Sequence, residues 1–260
     1  MSELSTAASD AARMNTALDR AVSPDRYGSY LGAAGQDAEL ARRLYVWDRD
    51  VATAVLADIA IVEVALRNAM HRVLSQQYGP RWYESIDLDE RSQRQISGAW
   101  DQVNKARKLD PTNPKTPGRL VAGCSFGVWV NLLDTGGHAG KQPRRKHVDY
   151  EQMWRTCLHT AFPGGRAEAS LVGNQFTRSW THSVAKTVNV LRNRVAHHEP
   201  VHNGYPLPGQ IDPITRRTRR LTVADGLDNY LKLTRMIDRD LADWISGNST
   251  VRSILSSKPQ

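Results

Sequence analysis

Hydrophobic side chains recur at helical spacing from Asp37 to Gln77, a stretch that contains neither proline nor glycine. Leu40 and Leu44 begin an apolar stripe on its first part, as in an amphipathic helix. From Val51 to Leu74 apolar residues cover most of the circumference, which is typical of a central buried helix. Because about forty residues is long for one helix of a globular protein, we expect a break or kink between Trp47 and Asp50.

Several other stretches carry a helical pattern or end signal. They are a helix beginning at Ser23, Asp87–Lys108, Leu120–Leu133, Tyr150–Phe162, Phe176–His198 and Thr222–Ile245. Leu120–Leu133 also suits a strand because of its β-branched residues, but its length favours a buried helix. No alternating pattern is long enough to build a sheet, so the prediction is an all-α helical bundle with long loops.

The segments between and beyond these helices are polar or rich in proline and glycine. We interpret them as a flexible N-terminal tail (1–22), loops at 110–118, 134–147 and 205–218, and a flexible C-terminal tail (248–260). The part in between, residues 23–247, is interpreted as one domain, a size that can bury a substantial core.

The chain carries a formal net charge of +8, with a sequence pI near 9.7. This balance suits a polyanionic partner such as RNA, although a basic surface without such a partner is the alternative. Many of the cations are grouped in loops. The candidates for RNA binding are Arg144, Arg145 and Lys146, then Arg216, Arg217, Arg219 and Arg220, and Lys186 on the helical stretch before His198.

The sequence predicts neither a membrane segment nor a disulfide framework. Its longest apolar run, Val51–Leu66, is interrupted by Asp58 and Glu63. Cys124 and Cys157 are far apart, and we expect two inert buried thiols. The first residues lack the apolar core of a secretory signal, so a cytoplasmic location is the expectation, with no membrane partner and no cofactor.

The stretch from Leu191 to Pro200 has the highest density of reactive side chains, with two arginines, an asparagine and two histidines. Its proline must end a helix. At about 100° per residue, one side of this helix is an apolar stripe. The opposite side carries Lys186, Asn189, Asn193 and His197. Arg192 flanks that polar side, whereas Arg194 and His198 project closer to the apolar side.

Two interpretations of the polar side remain open. It is either a solvated face, or a site that cleaves phosphodiesters without a metal ion. Such cleavage needs a group with a pKa near neutrality to move protons, which histidine supplies, and a fixed cation to stabilise the phosphorane, which arginine supplies. A third interpretation takes His197, His198, Glu199 and His202 as metal ligands, but their spacing matches no zinc pattern.

The segment Arg192-Asn193-Arg194-Val195-Ala196-His197 resembles the R-x4-6-H signature of the HEPN superfamily, and the following His198-Glu199-Pro200-Val201 resembles its Abi-like (abortive-infection) branch. Other segments are similar to the same family in the same order. They are Glu63–His71 followed by Tyr78-Gly79 and Trp82-Tyr83, then Ser125–Val130, and Trp154–Pro163. The matching segments fall within roughly residues 25–247.

This resemblance implies a HEPN-like helical bundle whose homodimer brings two Arg/His motifs together. It also implies a metal-independent endoribonuclease that serves as a toxin or anti-phage effector, with Arg192 and His197 catalytic and Asn193 in support. An antitoxin, or a guide or inhibitory RNA, is a further partner to expect. The alternatives are an RNA-binding HEPN module that does not cleave, or a regulatory subunit of a defence complex.

A second polar cluster, Glu63, Arg67, Asn68 and His71, lies within the apolar stretch Val51–Leu74. Glu63 and Arg67 are four residues apart with the acid first, which favours an ion pair along a helix. We favour such a structural pair, because an unpaired buried charge is costly. The alternative is that Glu63 or Arg67 reaches the motif helix and orients Arg192 or His197. His198 is a further supporting candidate.

Overall fold

A computed structural model describes residues 13–15 and 17–260. The protein is 66% helix and 8% strand, which confirms a mostly helical fold. From residue 24 onward the helices are α1 (Pro24–Ala33), α2 (Ala38–Tyr78), α3 (Trp82–Ser85), α4 (Glu90–Arg107), α5 (Thr116–Gly123), α6 (Phe126–Asn131), α7 (Tyr150–Thr156), α8 (Gly165–Leu171), α9 (Arg178–Ala196), α10 (Val223–Ile237), α11 (Arg239–Asn248) and α12 (Val251–Ser256), and a 3-10 turn spans Leu158–Ala161.

Two antiparallel hairpins accompany the helices, although the sequence pattern predicted loops at both places. Strand β1 (Gly136–Ala139) pairs with β2 (Lys146–Asp149), and β3 (Tyr205–Ile211) pairs with β4 (Thr218–Leu221). The second ladder is irregular between Pro206 and Ile211. Prolines cannot donate to a ladder, which explains why this strand does not have the sequence pattern of one.

The chain divides into two compact units, each assembled from separate segments. Unit 1 comprises Met1–Leu56, Arg194–Ala224 and Thr250–Gln260, and unit 2 comprises Ala57–Asn193 and Asp225–Ser249. Helices α2, α9 and α10 each pass from one unit into the other along the chain. The interpretation of residues 23–247 as one domain stays a prediction.

Unit 1 has a core in which α1 packs on the start of α2. Its buried members are Val22, Tyr27, Tyr30, Ala34, Ala41 and Leu44. The indole Nε1 of Trp47 donates a hydrogen bond of 2.7 Å to the carbonyl oxygen of Ile254. The helix α12 contains the fully buried Val251. The C-terminal segment therefore forms part of this unit, and the expectation of a flexible tail is wrong for residues 251–256.

Unit 2 contains most of the large buried rings. Among them are Trp82, Phe126, Trp129, Tyr150, Phe162 and Tyr230. The hydroxyl of Tyr230, on α10, donates to Oδ2 of Asp58 on α2 at 2.7 Å. The polar residue that interrupts the apolar run of α2 is therefore satisfied inside the unit. No helix among the described residues is long and apolar enough to cross a membrane.

Several helix boundaries differ from those expected. The helix α2 continues through Trp47–Asp50 without a break. The expected helix over Leu120–Leu133 is two short helices separated by Cys124, which is extended. Asp238 ends α10 and caps α11 by accepting from the amide of Leu241 at 3.0 Å, which divides the last predicted helix. At the N-terminus, residues 17–21 are helical rather than a loose tail, and 1–12 and 16 lie outside the described residues.

Candidate active site

The helix α9 is fixed at its start by a buried arginine. Nε of Arg178 lies 2.9 Å from Oε2 of Glu151, and its Nη1 donates to the carbonyl oxygen of Leu133 at 2.8 Å. The predicted apolar stripe of this helix is buried from Val184 onward, whereas Trp180, which continues its line toward the start of the helix, is half-buried. Its members Val184, Val188, Leu191 and Val195 are at most 7% exposed. The orientation of the helix is thereby set, and with it the direction of its polar side chains.

The other side of α9 presents polar groups to solvent. Lys186 and Asn193 are exposed, and Asn189 is half-buried. Arg192 and Asn193 belong to unit 2, whereas His197, which is also exposed, belongs to unit 1. The angular assignment made from the sequence therefore agrees with the observed exposure for this set.

Arg192 is held by an acid from the central helix. Its Nε lies 3.4 Å from Oε2 of Glu63, and the two side chains are 29% and 20% exposed. The Nε atom is buried without forming a hydrogen bond of good geometry. On the other side Nη1 of Arg192 lies 3.5 Å from Oδ1 of Asn193. Because Glu63 contacts Nε and Asn193 contacts Nη1, the guanidinium of Arg192 retains further N–H groups that can bind an anion.

Glu63 therefore forms its ion pair with Arg192 and not with Arg67. The favoured interpretation of Glu63 and Arg67 as a structural ion pair is wrong. Arg67 instead directs Nε toward Oδ1 of Asn68 and Nη1 toward the carbonyl oxygen of Ala122, both at 3.4 Å. Glu63 reaches the motif helix, which was the alternative. The reason is that Glu63 and Arg192 are brought together by the fold from positions far apart along the chain, a contact that helical spacing cannot reveal.

His71, in the same cluster, has a structural environment. Its Nδ1 accepts a hydrogen bond from the indole Nε1 of buried Trp82 at 3.0 Å, and the hydroxyl of Ser75 lies 3.2 Å away. Burial, followed by the charge of Arg67, lowers the pKa of His71. An Nδ1 that accepts must be unprotonated, so the neutral ring with its proton on Nε2 suits this contact.

The motif helix ends in a Schellman motif. The amide of Glu199 donates to the carbonyl of Arg194 at 2.9 Å, and the amide of His198 donates to that of Val195 at 3.1 Å. His197 is therefore the C-cap. His198 follows with a φ of 56°, in the left-handed region that glycine usually occupies. The angular projection fails for His198 because the helix has already ended there.

Arg194 stabilises this turn from within unit 1. Its Nε donates to the carbonyl oxygen of Pro200 at 2.8 Å, and its Nη1 lies 3.0 Å from Oε2 of Glu199. Arg194 thus has a structural role at the end of the helix, as the sequence pattern indicated.

Asp48 is an additional polar group of unit 1 that the sequence analysis did not identify. It is 4% exposed, and its two oxygens lie 3.1 Å and 3.2 Å from the amide nitrogen of Val201. Its Oδ2 also accepts from the hydroxyl of Tyr30 at 2.6 Å. Burial raises the pKa of Asp48, while the bonds from Tyr30 and Val201 oppose that rise. On the sequence alone Asp48 was only one polar residue of an amphipathic helix.

The histidines considered as metal ligands do not converge. His202 is buried against Tyr30, with ring centroids 4.5 Å apart, and burial lowers its pKa. Across residues 13–15 and 17–260, no three His, Cys, Asp or Glu side chains gather as a metal-binding group. His197, His198, Glu199 and His202 therefore do not form the metal centre that one interpretation required. Both cysteines are buried thiols, and burial raises the pKa of Cys124 to about 11.

Apart from Lys186 on α9, the basic candidates lie on the two hairpins, and all of them are exposed. Arg144, Arg145 and Lys146 lie in unit 2, at the end of the first hairpin, where Nζ of Lys146 lies 2.6 Å from Oδ1 of Asp87. Arg216, Arg217, Arg219 and Arg220 lie in unit 1, on the second hairpin. Arg220 donates to the carbonyl oxygens of Asn203 and Gly204 at 3.2 Å and 2.7 Å, so it also fixes the base of that hairpin.

Comparisons with models of protein families, with curated proteins and with solved structures found no match to this chain. Within unit 2, Arg192 is oriented by the carboxylate of Glu63, with the amide of Asn193 beside it. Within unit 1, His197 is exposed at a helix end that is closed by a Schellman motif. These are groups that can bind a phosphate and exchange a proton.

Proposed function

We propose that the protein is an endoribonuclease that cleaves RNA without a metal ion, with Arg192, Asn193 and His197 as its reactive side chains. The observation that carries the proposal is the contact between Arg192 and Glu63. A partly exposed arginine held by an acid from another helix is a feature of an anion site. A solvated helix face would leave that arginine unrestrained.

In the proposed reaction the ribose 2′-oxygen attacks the phosphorus and the bond to the 5′-oxygen breaks. The 2′-hydroxyl loses its proton and the 5′-oxygen gains one, leaving a 2′,3′-cyclic phosphate and a 5′-hydroxyl. His197 serves one of these proton transfers. Arg192 stabilises the negative charge that accumulates on the phosphorane, and Asn193 positions Arg192 or the phosphate. Glu63 is a positioning residue, because it acts through Arg192.

We further propose that two copies of the chain act together. The reaction needs one group to accept a proton and another to donate one, and each copy supplies a single Arg/His motif. A symmetric dimer would provide both. Following the resemblance to Abi-like HEPN proteins, we propose that the enzyme acts in the cytoplasm as a toxin or abortive-infection effector.

The test is incubation of the purified protein with RNA in the presence of a chelator. We expect cleavage to cyclic-phosphate products, and we expect loss of cleavage in both Arg192→Ala and His197→Ala. The matched controls are Arg166→Ala and His138→Ala, which remove an exposed arginine and an exposed histidine elsewhere in the chain. Cleavage that persists in both motif variants would refute the assignment of Arg192 and His197 as reactive residues. Sedimentation would decide whether the active species is a dimer.

The second candidate is an RNA-binding module that does not cleave. The exposed arginines of the second hairpin favour it, because they suit phosphate contacts whether or not chemistry follows. The distinguishing result is RNA that is retained intact by the protein, with binding that weakens steeply as salt increases. A regulatory role in a defence complex would instead leave RNA unbound and require a protein partner.

A further inference from the structure

A cavity of about 390 Å³ lies beside the turn that follows His197, entirely within unit 1. Its walls come from α1, from the first half of α2 and from the turn that contains His198 and Glu199. This volume falls in the lower part of the range for small-ligand sites. The cavity is not explained by the proposed chemistry, since none of Arg192, Asn193 and His197 lines it.

The walls suit a flat ring. Tyr30 is buried and Tyr45 stands edge-on to it, with ring centroids 5.3 Å apart and planes inclined by 76°. Aliphatic groups of Ala52, Leu56 and Val195 complete the apolar surface. Aromatic and aliphatic walls of this kind are how proteins accommodate unstacked bases of single-stranded RNA.

The buried charged group at the wall is the carboxyl of Asp48, whereas the carboxyl of Glu199, which also lines the cavity, is exposed and lies 3.0 Å from Nη1 of Arg194. A carboxylate has about four acceptor positions, and within residues 13–15 and 17–260 only the Tyr30 hydroxyl and the Val201 amide donate to that of Asp48. Among the described residues no lysine or arginine forms an ion pair with Asp48. The side chain is therefore a buried acceptor with unused capacity beside an open volume, and a ligand with adjacent N–H donors would satisfy it.

Among the four RNA bases, guanine alone presents two adjacent donors, N1–H and the N2 amino group, along one edge. Adenine and cytosine place a single donor beside an acceptor, and uracil places one N–H between two carbonyls. Arg26 and Arg49 also line the cavity and provide cations for a phosphate attached to the sugar. The match is therefore to a guanine nucleotide rather than to an isolated base or an amine.

We infer that this cavity binds a guanine base of the RNA and thereby selects the bond that is cleaved. As a statement about cleavage the inference rests on the proposed function, whereas binding of a guanine nucleotide does not. His198 and Glu199, which directly follow His197 in the chain, form part of the cavity wall. The phosphate attached to the bound guanine nucleoside is therefore the one expected beside His197.

The experiment titrates the protein with GMP, AMP, CMP and UMP, following binding by calorimetry. We expect GMP to bind about tenfold or more tightly than each of the others, and we expect Asp48→Asn to remove this preference. Because Asp48 also holds Val201, a second variant fills the cavity instead. Ala52→Phe should abolish GMP binding, while Ala54→Phe, on the same helix but outside the cavity, should retain it.

Cleavage sites are then mapped on an RNA of mixed sequence. The inference is supported if the wild type cuts next to guanine, and if these cuts are lost in Ala52→Phe but retained in Ala54→Phe. GMP binding that is no tighter than AMP binding, or that survives in Ala52→Phe, overturns it even if RNA is cut. Selective GMP binding without any cleavage leaves the cavity assignment standing and removes the proposed function alone.

Discussion

Nε of Arg192 lies 3.4 Å from Oε2 of Glu63, so a residue of the motif helix is held by a carboxylate of the long helix α2. Both side chains are largely withdrawn from solvent. A charge in such a position needs its partner, because an unpaired and partly buried ion is costly. The pair is therefore expected to serve both the stability of unit 2 and the orientation of the arginine.

Replacing Glu63 with glutamine should lower the free energy of unfolding by about 1–2 kcal/mol, because Arg192 loses its counter-charge while the volume is retained. The rate of RNA cleavage should fall about tenfold, since Arg192 is no longer held in one orientation. Urea unfolding and a fluorescent RNA substrate measure the two effects.

The matched control for Glu63→Gln is Glu84→Gln. Glu84 and Arg81 form a more exposed pair at 3.6 Å, whose loss should change stability by less than about 1 kcal/mol. Equal effects of the two substitutions on stability and on cleavage would contradict the special position of Glu63.

His198 occupies the left-handed position of the Schellman motif, where a side chain is strained. His198→Gly should raise the free energy of unfolding by about 0.5–1 kcal/mol, because glycine adopts this conformation without a Cβ clash. His197→Gly, one residue earlier, relieves no such strain and should lower it by about 0.5–1 kcal/mol. Thermal unfolding of both variants checks the difference in sign, and two destabilised variants would refute the capping assignment.

His71 should make unit 2 sensitive to acid. Its folded-state pKa is lowered below the ordinary value of about 6.5. As the pH falls from 6.5 toward that lower pKa, the unfolded chain binds more protons than the folded one, so stability decreases. Protonation also removes the acceptor that receives the Trp82 indole hydrogen bond.

The variant His71→Leu separates this effect from the titration of other groups. It should be less stable than the wild type near pH 7, by about 1–2 kcal/mol, because the Trp82 N–H loses its acceptor. The difference between the two proteins should shrink as the pH falls through the window below 6.5. A difference that stays constant across this window would show that His71 does not titrate there.

The second hairpin should account for part of the salt dependence of RNA binding. Replacing Arg216 and Arg217 with alanine should make the slope of log K against log salt shallower by about 1.4, at roughly 0.7 per phosphate contact for single strands. Fluorescence anisotropy at several salt concentrations measures the slope. The matched control replaces Arg166 and Arg239, exposed cations on helices, and should leave the slope unchanged.

The sequence pattern predicted the parts of this protein that depend on local spacing. The apolar stripe of α9 and the buried character of α2 follow from positions that recur every three to four residues. The contact of Glu63 with Arg192 does not, because it joins residues far apart along the chain. Helical spacing favoured Arg67 as the partner of Glu63, and only packing decides between the two.

The missed strands have a different cause. Strand β3 contains two prolines and a glycine, and its outer half is exposed, so it lacks the alternation that marks a half-buried strand. Strand β1 contains two consecutive glycines at its start. Both hairpins are short, and each buries only a few apolar side chains: Ala139 and Val148 in the first, Tyr205 and Leu207 in the second. Asp48 was missed for a related reason, since its environment is formed by Tyr30 and by Val201, far along the sequence.

The hydrogen bond from Trp47 to the carbonyl of Ile254 has a consequence for the order of events during synthesis. Unit 1 combines residues from both ends of the sequence with the segment that follows His197. A ribosome delivers the chain from its N-terminus, so Trp47 lacks its acceptor until Ile254, 207 residues later, has been synthesised. Unit 1, which contains His197, therefore gains this contact only after the whole of unit 2 has been synthesised. A shorter nascent chain would contain the motif residues without this hydrogen bond between the two ends of unit 1.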